Sequence, residues 1–125
     1  MSKCDMTMNF ISAWNRKDVE AIMAAASEDI VYHNIPMEPV TGKAAFREAL
    51  QPFISRSSHV DWKVLDIAES DSGAVLTERV DAFVFTDGTE LSIRVMGVFE
   101  WNESEHLSGW RDYFDLAEFQ RQMPG

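Results

Sequence analysis

A chain of 125 residues, 46% hydrophobic with a net charge of −10, is long enough for one domain with a real core and too acidic to bind a nucleic-acid backbone. No apolar run approaches the roughly 20 residues of a membrane span, and Met1-Ser2-Lys3-Cys4-Asp5 lacks the apolar stretch of a signal peptide, so a cytoplasmic location is expected. Cys4 is the single cysteine, which excludes an intrachain disulfide.

In chain order, the helical spacing of Met6, Phe10, Ile11 and Trp14 predicts a helix from Asp5 to Asn15, closed by Asn15-Arg16-Lys17. Asp18 suits the N-cap of a second helix with Val19, Ile22, Met23 and Ala26 as its inner face. Ile30 to Asn34 reads as a short strand, with Tyr32 and Asn34 on one side and Val31 and His33 on the other. Ile35-Pro36-Met37-Glu38-Pro39 breaks it, since proline supplies no ladder donor. Thr41 can cap a third helix running from Gly42 to Phe53, which Pro52 ends or kinks. Val60 to Ala68 is a strand, and Ser70-Asp71-Ser72-Gly73 a turn. Strands from Ala74 to Phe85, Thr89 to Trp101 and His106 to Phe114 follow, and Leu116 to Gln122 forms a closing helix. Helices followed by a meander of long strands indicate an α+β fold: a curved, mostly antiparallel sheet with helices packed on one side, cone-like around an apolar pocket, over residues 1–125 as a single domain.

The strand around residue 80 organises this reading. Alternation puts Val75, Thr77, Arg79, Asp81, Phe83 and Phe85 on one face. The other face, with Leu76, Val80, Ala82 and Val84, is also largely apolar, so the strand is expected to be central and buried on both sides. Buried charges are costly unless paired, so Arg79 and Asp81 require partners. A two-residue Asp87-Gly88 loop would set Asp81 opposite Arg94. A three-residue Thr86-Asp87-Gly88 loop with a bulge at Gly88 would set Asp81 opposite Ile93 and Arg79 opposite Val95. The second is preferred, because it turns Leu91, Ile93 and Val95 toward the Arg79 face. On the last strand, Trp110, Asp112 and Phe114 share a face, and a carboxylate between large aromatics is poorly solvated and strengthened as a base. One guanidinium between two carboxylates that hold a single proton would be a neutral group with one acid and one base. His33, His59 and His106 show no metal-ligand spacing, and Cys4 has no histidine close in sequence, so neither a metal site nor a cysteine nucleophile is expected.

Four pieces together, Val31-Tyr32-His33-Asn34-Ile35-Pro36, Arg79-Val80-Asp81, Gly97-Val98-Phe99 and Gly109-Trp110-Arg111-Asp112-Tyr113-Phe114-Asp115, resemble limonene-1,2-epoxide hydrolase in order and spacing from about Ile30 to Phe119. The chain departs from that family in a shorter N-terminus and a hairpin loop one residue shorter. The resemblance implies the cone-shaped fold shared with nuclear transport factor 2, ketosteroid isomerase and polyketide cyclases, a homodimer and no cofactor. It implies that Asp112 is the general base acting on a water held by Tyr32 and Asn34, that Asp81 is the acid, and that Arg79 orients both aspartates. Trp110, Phe114, Phe83, Ile93 and Val95 would form the apolar wall. The activity so implied is addition of water to a small, terpene-like epoxide in one step, giving a vicinal diol without a covalent ester. Two other readings fit the same fold: an isomerase or cyclase using one aspartate, and a non-catalytic module binding an apolar ligand.

Overall fold

The chain runs α1 (Lys3–Asn15), α2 (Val19–Ala25), β1 (Ala26–Asn34), β2 (Val40–Thr41), α3 (Lys43–Ser55), β3 (Ser57–Glu69), β4 (Val75–Phe85), β5 (Glu90–Trp101), β6 (Leu107–Tyr113) and α4 (Leu116–Gln122) in a computed structural model that describes residues 1–123. The domain expected to reach Gly125 therefore has its last two positions, Pro124 and Gly125, outside the described residues. The six strands form one mixed sheet in the order β2-β1-β6-β5-β4-β3. β1 and β6 pair in parallel, and the other neighbours are antiparallel. Register shifts in β1, β3 and β5 mark irregularities of the bulge type, which bend strands and curl a sheet around its inner face. Among the described residues no helix is long and apolar enough to cross a membrane.

Element boundaries differ from the sequence reading where local hydrogen bonds decide them. α1 begins at Lys3 rather than Asp5, because Ser2 and Asp5 form a capping box: the Ser2 hydroxyl accepts from the Asp5 amide at 3.0 Å, and the Asp5 carboxylate accepts from the Ser2 amide at 3.3 Å. Thr41 does not cap α3. Its backbone pairs with Val31 in the β1–β2 ladder, and Gly42, at φ 95°, is the N-cap residue without a side-chain bond. α3 continues past Pro52 to Ser55, since Ile54 is anchored in the core and the Pro52 carbonyl accepts from the Arg56 amide at 3.1 Å. β1 and β3 start earlier than expected, at Ala26 and Ser57. Asp18 caps α2 as predicted, accepting from the Ala21 amide at 3.1 Å.

The inner face of the sheet and the facing sides of the helices make the core. Phe10, Ile11 and Trp14 from α1 meet Phe99, Trp101 and Trp110 from β5 and β6, and Phe46, Leu50 and Ile54 come down from α3. Trp110 lies at the centre, edge-on to Phe10 at 5.2 Å and stacked on Phe99 at 5.4 Å between ring centres. The Asn15 side chain clamps α1 onto β3, donating to the Trp62 carbonyl at 3.2 Å and accepting from the Trp62 amide at 2.8 Å. That bond pair sets Trp62 against Trp14, with the two rings stacked at 4.5 Å.

The central strand is buried on one face only, which corrects the expectation that both faces are covered. Val75, Thr77, Arg79, Asp81, Phe83 and Phe85 are all buried, whereas their alternates are partly or fully open. The outer face of the sheet carries exposed Val31, Leu65, Leu76, Met96 and Tyr113, interspersed with the ion pairs Arg94–Glu78 and Arg111–Glu100.

Candidate active site

Strand register brings the charged residues together. The β4–β5 hairpin has the three-residue loop, so Arg79 faces Val95 and Asp81 faces Ile93. Gly88, at φ 90°, supplies the left-handed backbone that this loop requires, and its amide donates to the Phe85 carbonyl at 2.9 Å. β5 separates β4 from β6, so the guanidinium must cross β5 to reach Asp112. It crosses at Gly97, which lies opposite Thr77 on one side and Asp112 on the other. A Cβ on Gly97 would collide with Nη1 of Arg79 and come within 2.7 Å of Asp112 Oδ1 and 3.0 Å of Thr77 Oγ1. Absence of a side chain, not backbone freedom, is what this position demands.

Arg79 is fully buried and every one of its five N–H donors is committed. Nε donates to Asp81 Oδ1 at 3.0 Å, and Nη2 to Asp81 Oδ2 at 2.8 Å and Asp112 Oδ2 at 2.9 Å. Nη1 donates to Thr77 Oγ1 at 3.0 Å and Asp112 Oδ1 at 3.3 Å. Both carboxylates thus receive paired bonds from one cation. The guanidinium carbon also lies 5.1 Å from the centre of the Trp62 ring and 5.6 Å from that of Phe99. Burial alone would favour losing the proton of Arg79, but the two aspartates outweigh it and hold the cation more firmly protonated than usual. Asp81 is displaced the other way. Burial pushes its carboxyl up to about 6, against the lowering pull of Arg79 and with a further rise from Asp112. A carboxyl placed there can keep its proton near neutral pH and deliver it.

β1 lies beside β6, with Tyr32 opposite Trp110 and Asn34 opposite Asp112. The Ile35 amide donates to the Asp112 carbonyl at 2.8 Å, which seats the end of β1 against β6 at Asp112. Asn34 Nδ2 donates to the Tyr32 hydroxyl at 2.9 Å. Burial and then the Asp112 charge push the Tyr32 phenol well above its ordinary range, so it is a neutral hydroxyl at working pH.

A cavity of about 340 Å³ opens over this group, and Tyr32, Asn34, Asp81 and Asp112 all line it. Phe83, Ile93, Val95 and Phe114 form part of its apolar wall, the places expected for them. Trp110 is different. It is fully buried behind the wall, outside the cavity lining, and its indole N–H donates to Asp112 Oδ1 at 2.8 Å. Alternation gives a residue's face but not its depth, and Tyr32 covers Trp110, the two rings lying 4.6 Å apart. Sequence reasoning also passed over Trp62, Leu91, Phe53 and Phe119 in the wall, Met37 and Glu38 at the loop after β1, and Thr77 beneath Arg79. The signal for Thr77 was present, two residues before Arg79 on the same face.

Comparison with known proteins gives the family and the fold. The family model described as the limonene-1,2-epoxide hydrolase catalytic domain matches residues 2–124. Epoxide hydrolase EphG of Mycobacterium tuberculosis is 32% identical over 109 residues, spanning 87% of this chain and 70% of the relative. The structure of an M. tuberculosis LEH-like epoxide hydrolase superposes with a TM-score of 0.82 at 28% identity, covering 95% of this chain and 86% of that one. The epoxide hydrolase/cyclase-like enzyme SalBIII shares the fold, with a TM-score of 0.82 at 16% identity over 91% of each chain.

Gly97→Ala tests the crossing point. The added methyl must displace Arg79, Asp112 or both, at a cost of about 1–3 kcal/mol in urea unfolding. A shift near 1 Å in the reacting groups lowers turnover on the order of 10²-fold. A variant with wild-type unfolding and turnover would show that the crossing has slack.

Proposed function

Because the chain belongs to the limonene-1,2-epoxide hydrolase family and is a hydrolase of that type, we propose that it adds water to a small, largely apolar epoxide in one step, with Asp112 as general base and Asp81 as general acid. The observation that carries this reading is the pair of aspartates on one saturated guanidinium, both open to the same cavity.

The chemistry follows from where protons can go. An epoxide is strained, but its leaving oxygen is a poor one until it is protonated. Asp81 gives its proton to that oxygen as the carbon–oxygen bond breaks. Water, held by Tyr32, Asn34 and Asp112, forms the new carbon–oxygen bond and loses its proton to Asp112. The product is a vicinal diol. Asp81 ends ionised and Asp112 protonated, so the aspartates and Arg79 together keep the same net charge throughout. Return of the proton from Asp112 to Asp81 resets the pair. Each acid or base contribution is worth roughly 10²–10⁴-fold. An apolar wall favours a terpene-like ring and keeps competing water away. The position of Tyr32 and Asn34 beside Asp112 supports water as the nucleophile, rather than a substrate atom attacked by a lone aspartate as in an isomerase or cyclase. Members of this family are homodimers by the resemblance noted above, and the exposed apolar side chains on the outer sheet face support that face as the contact between two copies.

With cyclohexene oxide or limonene oxide, Asp81→Asn and Asp112→Asn should each lower kcat by at least roughly 10²-fold. Near-wild-type rates in either variant would remove the two-role assignment. A single turnover in ¹⁸O-labelled water should place label in the diol at once; an unlabelled first product would mean an aspartyl ester. Since Asp81 must be protonated to act, the rate should fall as pH rises through about 6, the value to which burial lifts this carboxyl. Asp81→Asn should abolish that limb. Sedimentation should give twice the 14.2 kDa of one chain, and Met96→Glu, which sets a charge on the outer face, should return it to the monomer.

A further inference from the structure

Asp112 has two oxygens, and the hydrogen bonds on them are unequal. Oδ1 accepts from Trp110 Nε1 at 2.8 Å and from Arg79 Nη1 at 3.3 Å. Oδ2 accepts from Arg79 Nη2 alone, at 2.9 Å. A carboxylate oxygen has two in-plane lone pairs. Both on Oδ1 are engaged, and one on Oδ2 is free. We propose that Trp110 is a positioning residue for the hydrolysis: its indole N–H ties down Oδ1, so that Oδ2 takes the proton from water, while its ring fixes the Tyr32 phenol that holds the same water. This rests on the acid/base reading above.

Arg79 cannot impose the choice by itself. Its Nη1 and Nη2 meet the two oxygens of Asp112 as a fork, an arrangement that treats them alike. Nη1 is shared with Thr77 and its bond to Oδ1 is the longer one. The neighbour that breaks the symmetry is Trp110, two residues earlier on the same strand face. Its fit is secured from several sides. The ring stacks on Phe99 at 5.4 Å and meets Phe10 and Trp14 edge-on at 5.2 and 5.8 Å. On its open side it supports Tyr32, tilted by 33° at 4.6 Å. One rigid side chain thus references both the base and a water-holding hydroxyl to the same core cluster. Packing by itself does not oblige the bond, because the buried indole N–H groups of Trp14 and Trp62 have no partner among the described residues.

The charged or titratable groups around Asp112 are Arg79 and Asp81 from β4 and Tyr32 from β1, and Glu38 lines the same cavity. None of them changes when the indole nitrogen is replaced. The deciding experiment exchanges Trp110 for β-(3-benzothienyl)alanine by site-specific incorporation, which keeps the bicyclic shape and substitutes sulfur for N–H. With cyclohexene oxide, kcat should fall about tenfold with KM little changed. Phe10→Leu loosens the same cluster without touching Asp112, and should lower the melting temperature while leaving kcat near wild type. A benzothienyl variant with wild-type kcat overturns the proposal, as does a Phe10→Leu variant whose kcat falls equally far. Absence of epoxide turnover in the wild-type protein would instead overturn the reading of the reaction.

Discussion

A guanidinium removed from water must have all of its charge and all of its donors answered from within the protein, and the interior of this chain is arranged around that demand. Arg79 has no exposure to solvent, so its desolvation is offset by Asp81, Asp112 and Thr77, with the rings of Trp62 and Phe99 beside it. Two carboxylates on one cation would leave an excess negative charge in a place of low dielectric. Retaining one proton between them removes it, and the raised carboxyl of Asp81 is where burial puts that proton. In the proposed reaction, the same electrostatic requirement that lets the cation be buried supplies the acid and the base side by side.

The proposed reaction uses this balance rather than disturbing it. A proton leaves the group at Asp81 and another joins at Asp112, so no net charge appears in the core during the chemical step. Fixed donors already point at the positions where charge shifts, which is the circumstance in which a protein lowers a barrier without reorganising. Rigidity is supplied by unremarkable parts: a missing side chain at Gly97, a hydroxyl at Thr77 and an indole at Trp110. None of these three is itself part of the cavity lining, yet each limits where a reacting oxygen can sit.

The sequence made some of this legible and hid the rest, for physical reasons. Two-residue alternation placed Arg79 and Asp81 on one face, and the glycine at position 88 selected the hairpin register. The meeting of Asp112 with Arg79 depends on β6 joining β5 and on an arginine reaching over a third strand, which periodicity does not encode. Tyr32 and Asn34 reach Asp112 through a parallel pairing between strands far apart in the chain. Those contacts came into view through the resemblance of the combined motifs to a family. Depth was the weakest inference: Trp110 shares a face with cavity residues but lies beneath Tyr32, and the outer face of β4 is apolar without being covered.

The parallel union of β1 with β6 has a consequence for biogenesis. Tyr32 and Asn34 are made before the strand that completes their surroundings, Leu107–Tyr113, which follows only after β3, β4 and β5. Pairing of such distant segments pays loop-closure entropy before it is rewarded, so it is intrinsically slow. During translation the chain therefore carries Arg79 and Asp81 without their second carboxylate, and on the proposed mechanism a product cut before Leu107 would be inert while already holding most of its helices and five of its six strands.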